Sequence, residues 1–299
     1  MNAIEIRNLS KSFRGMYAVD GLNMTVPVGS IYGFIGENGS GKSTTEKLIC
    51  GLLVKDEGSI KLFGEDYTDA ARRIRVGALI ENAGCFPGSS VYMNLRMQAI
   101  NLGLENIDEE INRVLEIVRM EEHANLKFKK CSLGMKQRIG IAMALLGNPA
   151  LLILDEPING LDTDGMRITR EILVDITQKY KTTVLISSHI LGELEKIATH
   201  YGIIRRGKMI QELSAKEMES RCRVFVSLKT KDMEAAKKLL KEKYPKVKYE
   251  EESLRVYDEN NPEQIVDYLM KNGHVVSEIK QNKVGLEEYY IELMSKESE

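Results

Sequence analysis

One nine-residue stretch constrains this chain more than any other: Gly36-Glu37-Asn38-Gly39-Ser40-Gly41-Lys42-Ser43-Thr44. It satisfies G-x-x-x-x-G-K-[S/T] through Gly36, Gly41, Lys42 and Ser43, and it separates a strand-like run (residues 30–35) from a helix-like run (residues 45–50). That context is what the pattern needs to work as a phosphate-binding loop. Glycines let the backbone curl until its N–H groups point at phosphate oxygens, and the start of the following helix adds positive potential. Lys42 is expected to reach the β- and γ-phosphates of a nucleoside triphosphate. Ser43 is expected to offer its hydroxyl to a magnesium ion, which keeps several waters and takes few protein ligands.

The chain is long enough, at 299 residues with 43% apolar, for one large domain and a smaller one with real cores. Its 42 basic and 44 acidic side chains leave a net charge of −2, so no global field draws it to nucleic acid or an anionic bilayer. Cys50, Cys85, Cys131 and Cys222 show no C-x-x-C spacing and read as free thiols in a reducing compartment. The first residues alternate like a strand and carry charges, unlike a signal segment, so secretion is not expected. The most apolar stretch, residues 141–154, is broken by Gly147, Asn148 and Pro149 and falls short of the roughly 20 residues that span a bilayer. Work at a membrane would need a partner that does the spanning.

Residues 3–9 and 22–26 alternate apolar and polar side chains, as half-buried antiparallel strands do. Between them Phe13 sits beside Gly15, either to stack on a nucleobase or to pack in the core. Residues 58–64 read as a strand between turns, 67–75 as a short helix, 75–80 as a buried strand ending at Glu81, and 91–125 as a helical insertion. Ser132 is a natural N-cap for a helix ending near Leu146, where Gly147 and Pro149 stop it. Leu151 to Leu154 is wholly apolar, as a central parallel strand must be, and delivers Asp155 and Glu156 to its C-terminal end, the ligand-binding edge of open α/β sheets. A helix over 166–180 leads to a β-branched strand over 182–188 that brings His189 to the same edge; a helix over 192–198 and strands over 202–205 and 208–213 follow. Strands alternating with helices give a mostly parallel, helix-covered sheet. After a short charged linker, residues 217–221, the order strand, helix, strand, strand, helix, strand and helix suggests a ferredoxin-like α+β appendage over residues 222–299.

Together these motifs resemble the ATP-binding subunit of an ATP-binding cassette (ABC) transporter, over roughly residues 3–215. The resemblance implies a P-loop nucleotide-binding domain over residues 1–216, with a mostly parallel core sheet, an antiparallel β subdomain and a helical subdomain near 87–145. The phosphate loop supplies Gly36, Asn38, Gly39, Ser40, Gly41, Lys42, Ser43 and Thr44, and Phe13 falls where the family stacks adenine. Residues 131–135 match the helix-capping signature, Asn159-Gly160-Leu161-Asp162 the dimer-contacting loop, and Ser188-His189 the switch histidine. By the resemblance ATP is hydrolysed, Asp155 holds the magnesium shell, Glu156 polarises the attacking water, and His189 contacts the γ-phosphate. The N-terminus of the signature helix, at Ser132 with Gly134, is a second anion site that one chain cannot bring to the same phosphate. In the family it caps the nucleotide of a second subunit, and with one phosphate loop here that subunit is another chain, expected to be a homodimer partner. His123, His200 and His274 have no such context and read as surface or packing residues.

Three features depart from the common pattern: one acidic position, the signature and one position after the strand carboxylates. Glu81 stands where most relatives carry a glutamine that touches magnesium, so it is read as a nucleotide and metal contact. Leu133 and Met135 replace small and polar residues of the signature, and Ile158 replaces a frequent threonine. Glu81, residues 132–138 and residues 185–191 look like the bacitracin-type and lantibiotic-immunity branch, which exports peptide antibiotics. The implied partner is a membrane-spanning permease at the cytoplasmic face of the cell membrane, docked through residues 87–125 of the helical insertion. Alternatives are a cassette ATPase of a lipid, ion or drug exporter, or a soluble cassette ATPase outside transport. The soluble class acting on nucleic acid has little support: from Cys222 onward there are 14 basic and 16 acidic residues without clustered arginines. The appendage is read as a dimer-stabilising extension or a ligand-binding regulatory domain.

Overall fold

A computed structural model describes residues 1–67, 76–221, 224–250, 252–257, 261–283 and 285–296. Apart from Tyr67, the short helix expected over 67–75 lies outside the described residues, as does Cys222. The chain divides into two units, Met1–Ala215 and Lys216–Glu299.

The first unit holds two sheets. Strands β1 (Asn2–Phe13), β2 (Met16–Pro27), β4 (Glu57–Leu62) and β5 (Glu65–Asp66) form an antiparallel layer in the order β2-β1-β4-β5. The first two run well beyond the alternating segments 3–9 and 22–26. Register shifts after Ile6 and Leu9 switch which face a side chain occupies while the backbone ladder continues, so alternation lapses before pairing does.

Strands β3 (Ile31–Ile35), β6 (Val76–Leu79), β7 (Leu151–Asp155), β8 (Thr183–Ser188), β9 (His200–Arg205) and β10 (Lys208–Ser214) build the second sheet in the order β10-β9-β3-β8-β7-β6. Its ladders are parallel except the β9–β10 hairpin. Leu151, Leu152, Ile153 and Leu154 are all fully buried, each contributing about 1.5–3 kcal/mol of apolar burial. Helix α1 (Lys42–Ile49) carries Leu48 and Ile49 into a core that also takes Ile4, Ile6 and Ile60 from the antiparallel layer and Phe34, Ile153 and Leu185 from the parallel sheet. The helix that follows the phosphate loop is thereby wedged between both sheets.

The helical insertion expected over 91–125 consists of two helices, α2 (Val91–Asn101) and α3 (Ile107–Ile117), followed by a 3-10 turn at Glu121–His123. Gly103, in the left-handed region, turns the chain between them, and Arg119 does so after the second. Ile111, Val114 and Leu115 form the buried stripe of α3. Helix α4 (Leu133–Leu145) starts at Ser132, whose Oγ accepts a hydrogen bond from Met135 N at 3.2 Å. Helix α5 (Thr163–Tyr180) begins earlier than residue 166 because Asp162 Oδ1 caps it by accepting from Gly165 N at 3.1 Å. Helix α6 (Leu191–Leu194) is a single turn, not the run over 192–198, because Thr199 N is captured by Ile31 O at 2.8 Å and the chain is drawn into the sheet.

Residues 217–221, expected to be a linker, belong to helix α7 (Ala215–Arg221), for whose charged side chains helical backbone is inexpensive. The second unit continues with β11 (Val224–Thr230), α8 (Met233–Lys243), β12 (Val247–Glu250), β13 (Ser253–Tyr257), α9 (Pro262–Lys271), β14 (Val276–Lys283) and α10 (Leu286–Lys296). Its sheet order β12-β13-β11-β14, antiparallel throughout, is the split β-α-β arrangement of a ferredoxin-like fold. Val226, Leu228, Leu240, Leu254, Ile265 and Leu269 fill its core.

Gly77 on β6 marks the tightest helix-to-sheet contact: a Cβ there would lie 2.0 Å from the Ala144 carbonyl oxygen at the end of α4. Gly77→Ala is expected to cost about 2 kcal/mol or more and to lower the thermal midpoint by roughly 4 °C or more. A calorimetric midpoint equal to that of the wild type would contradict this packing.

Candidate functional site

The phosphate loop leaves β3 and enters α1 with two glycines set by close approach. A Cβ on Gly36 would lie 2.5 Å from Ile204 O, and one on Gly41 (φ 109°) 2.4 Å from Ala18 O. The loop is thus pressed between β9 and β2, and these backbone contacts exclude any side chain at either position. Ala18, Asn38, Gly39, Gly41, Lys42, Ser43, Thr44, Asp155 and Glu156 line a hollow of about 350 Å³. No side chain caps the start of α1 at Gly41, so its first N–H groups stay available to an anion. Lys42, nearly buried, curls back to donate from Nζ to Gly36 O at 2.6 Å and Glu37 O at 3.1 Å. Those acceptors are neutral carbonyls, which a phosphate oxygen would outcompete. Gly36 and Ser40 are not among the residues lining the hollow, and the Ser40 hydroxyl is buried without a partner among the described residues.

A chain of hydrogen bonds crosses the carboxyl edge of the sheet beside this hollow. Ser43 Oγ donates to Asp155 Oδ2 at 3.0 Å, and Ser187 Oγ donates to Asp155 Oδ1 at 2.6 Å. Glu156 N reaches Ser187 O at 3.2 Å and Ser187 Oγ at 3.1 Å. His189 Nδ1 lies 2.9 Å from Glu156 Oε2, so that, with an ionised Glu156, it carries the hydrogen they share. Glu156 itself is left-handed at φ 50°, a conformation uncommon for a non-glycine residue and held here by those bonds. Ser43 and Asp155 present adjacent hard oxygens, a donor set that fits a magnesium ion with few protein ligands.

The remaining expected residues lie around this centre. Phe13 is 44% exposed at the β1–β2 hairpin, with Lys11 Nζ 5.5 Å from its ring centroid. Lys11 and the Ser12 hydroxyl and N–H hold Asp56 below the usual carboxylate range, at about 2. Glu81 is not among the residues lining the hollow; its exposed carboxylate forms an ion pair with Lys47 at 2.6 Å. Ser132, Gly134 and Asp162 are also outside the lining: Ser132 is exposed at the start of α4, and Asp162 caps α5.

Three residues of the site have no signature of their own in the sequence. Ala18 contributes through its backbone oxygen against Gly41. Ser187 matters because the β7–β8 register sets it opposite Asp155. Glu46, on α1, is fully buried, and burial, reinforced by the nearby Asp155 charge, pushes its carboxyl up to about 8.

Comparison with known proteins points to one family. The family described as ABC transporter matches residues 19–159. The bacitracin transport ATP-binding protein BcrA of Bacillus licheniformis is 35% identical over 297 residues, 97% of each chain. The lantibiotic transport ATP-binding protein SrtF of Streptococcus pyogenes is 39% identical over 209 residues, covering 70% of this chain and 90% of its own. Among solved structures, cbiO1 from Clostridium perfringens, part of the ABC transporter complex cbiONQ, superposes with a TM-score of 0.67 at 25% identity, over 74% of this chain and 91% of that one. A dimeric ATP-binding cassette in a post-hydrolysis state bound to ADP and Pi shares the fold, with a TM-score of 0.64 at 24% identity, over 71% of this chain and 98% of that one. The family match over residues 19–159 and a relative 35% identical along nearly the whole length make this chain a member of the ABC transporter family, as an ATP-binding subunit.

Proposed function

We propose that this chain hydrolyses ATP to ADP and phosphate to drive a membrane permease that exports a peptide antibiotic. The observation that carries the reading is the hydrogen-bonded series Ser43, Asp155, Ser187, Glu156 and His189 beside Lys42. Lys42 and the loop N–H groups would bind the phosphates, Phe13 would stack on the adenine, and Ser43 and Asp155 would hold magnesium, whose charge offsets that of the phosphates. Glu156 would orient the attacking water and accept its proton, while His189 fixes the Glu156 carboxylate through its Nδ1–H. Glu81, paired with Lys47, would act at the edge of this site in coupling to the permease rather than as a direct metal ligand.

The nucleotide would be shared by two identical chains. Ser132 is exposed at the start of α4, and the backbone at Gly134 is open: a Cβ there would come no nearer than 3.9 Å to a side chain of the described residues, that of Leu161. These features support a role in capping a phosphate held by a second copy. Among the described residues no helix is long and apolar enough to cross a membrane, so the spanning falls to the permease and this chain would sit at its cytoplasmic face. Phe86, Met93 and Ile100 are exposed on and beside α2, and Asn94 ties the Phe86 loop to that helix by accepting from Phe86 N at 2.7 Å and donating to Ser90 O at 2.9 Å. This apolar, braced surface supports docking there. The full-length match to the bacitracin transport relative includes the second unit, which favours the bacitracin-type branch.

Glu156→Gln is expected to lower kcat by about 100-fold or more while nucleotide affinity stays within about threefold. Retained turnover in a phosphate-release assay would remove Glu156 from its role. Phe86→Ser is expected to leave nucleotide affinity unchanged and to abolish co-purification with the integral membrane partner. Undiminished co-purification would place the docking surface elsewhere.

A further inference from the structure

The two segments that carry Glu156 and His189 leave neighbouring strands and are tied together a second time further on. Glu156 follows β7 and leads through residues 157–162 into α5, while His189 follows β8 and leads into α6. Arg170, about two turns into α5, places Nε 2.9 Å from Glu193 Oε2 on α6. The two side chains are 20% and 14% exposed, and neither of these atoms has a hydrogen-bond partner among the described residues, so the ion pair itself joins the helices. Glu193 Oε1 accepts from Lys196 Nζ at 2.6 Å, but Lys196 lies three residues along the same segment and ties it to nothing else.

Helix α6 depends on its surroundings for its place. It is one turn of four residues, Ile190 supplies no side-chain cap, and a first turn fixes several dihedrals for a single hydrogen bond. Leu191 and Leu194 are buried and hold the turn down, but apolar contact is non-directional and sets no single position along α5. The Arg170 guanidinium supplies the direction, and it stands on a helix of 18 residues whose Ile172, Leu173 and Ile176 are fully buried. His189 is not fixed by packing: its side chain is 45% exposed and its Nδ1 meets Glu156 Oε2 at 2.9 Å. We propose that Arg170 and Glu193 are positioning residues for hydrolysis, gripping the turn that follows His189 so that its ring stays on the Glu156 carboxylate. A displacement of about 1 Å at α6, passed back through Ile190, would break a contact of that length, and a misplacement of this size costs up to about 100-fold in rate.

The inference rests on the proposed hydrolysis of ATP and is tested on the full chain by steady-state turnover, with single-turnover release of labelled γ-phosphate for the slowest variants. Arg170→Met keeps an aliphatic stem and leaves Glu193 paired with Lys196, so it is expected to fold with a thermal midpoint within about 4 °C of wild type. Its kcat is expected to fall about tenfold while KM for ATP stays within about twofold. Arg170→Lys keeps a cation facing Glu193 and is expected to retain at least about half of kcat. Lys196→Met removes only the local partner and is expected to turn over like wild type. In a His189→Ala background Arg170→Met should lower the rate no further, because the grip acts through that ring, whereas a merely structural role would lower it again. Wild-type kcat in Arg170→Met, an Arg170→Lys variant as slow as Arg170→Met, an equal loss in Lys196→Met, or an added loss on top of His189→Ala overturns this inference and leaves the hydrolase reading standing. A wild-type chain that binds ATP without hydrolysing it overturns both.

Discussion

The site depends on the parallel register of β7 and β8. That register sets Ser187 opposite Asp155, and the serine then holds both carboxylate residues, one through its hydroxyl and the other through backbone and hydroxyl together. A slip of one residue would turn Ser187 to the other face of the sheet and break its bonds to Asp155 and Glu156. The four fully buried side chains of Leu151 to Leu154 oppose such a slip, since it would carry each into the environment of its neighbour. Core packing and site geometry are one constraint here, applied along a single strand.

The phosphate loop is fixed from a different direction. Its helix is gripped between two sheets, and its glycines touch Ile204 on one side and Ala18 on the other. The antiparallel layer therefore does more than present Phe13; it also supplies the backbone wall against which Gly41 turns. A loop held on both sides needs little rearrangement to receive an anion, which is the condition for catalysis by positioning and charge stabilisation.

Much of this was legible in the sequence because it rests on local chemistry. The phosphate loop announces itself through glycine spacing, Ser132 through its capping position, and β7 through an apolar run that only a doubly covered strand tolerates. What escaped depends on tertiary placement. Ser187 is unremarkable until the register is known, and Glu46 reads as one more polar residue of a helix until both sheets close over it. Within the helical insertion expected over 91–125, the helix ends near Gly103 and Arg119, both left-handed, are not marked by the apolar pattern. The presumed linker was helical because charged side chains suit a surface helix as well as a tether. Glu81 was placed by family position alone, and its ion pair with Lys47 gives it a different neighbour from the one that position implied.

The proposed mechanism turns on incompleteness: Lys42 and Ser132 belong to different phosphates within one chain and to the same phosphate across two. The most direct test is the turnover of Ser132→Arg, alone and mixed with Lys42→Ala. The account predicts that each variant alone is inactive, that Ser132→Arg still binds nucleotide, and that mixing restores measurable hydrolysis, because one composite site then has an intact Lys42 facing an intact Ser132. Full-rate hydrolysis by Ser132→Arg on its own would contradict it.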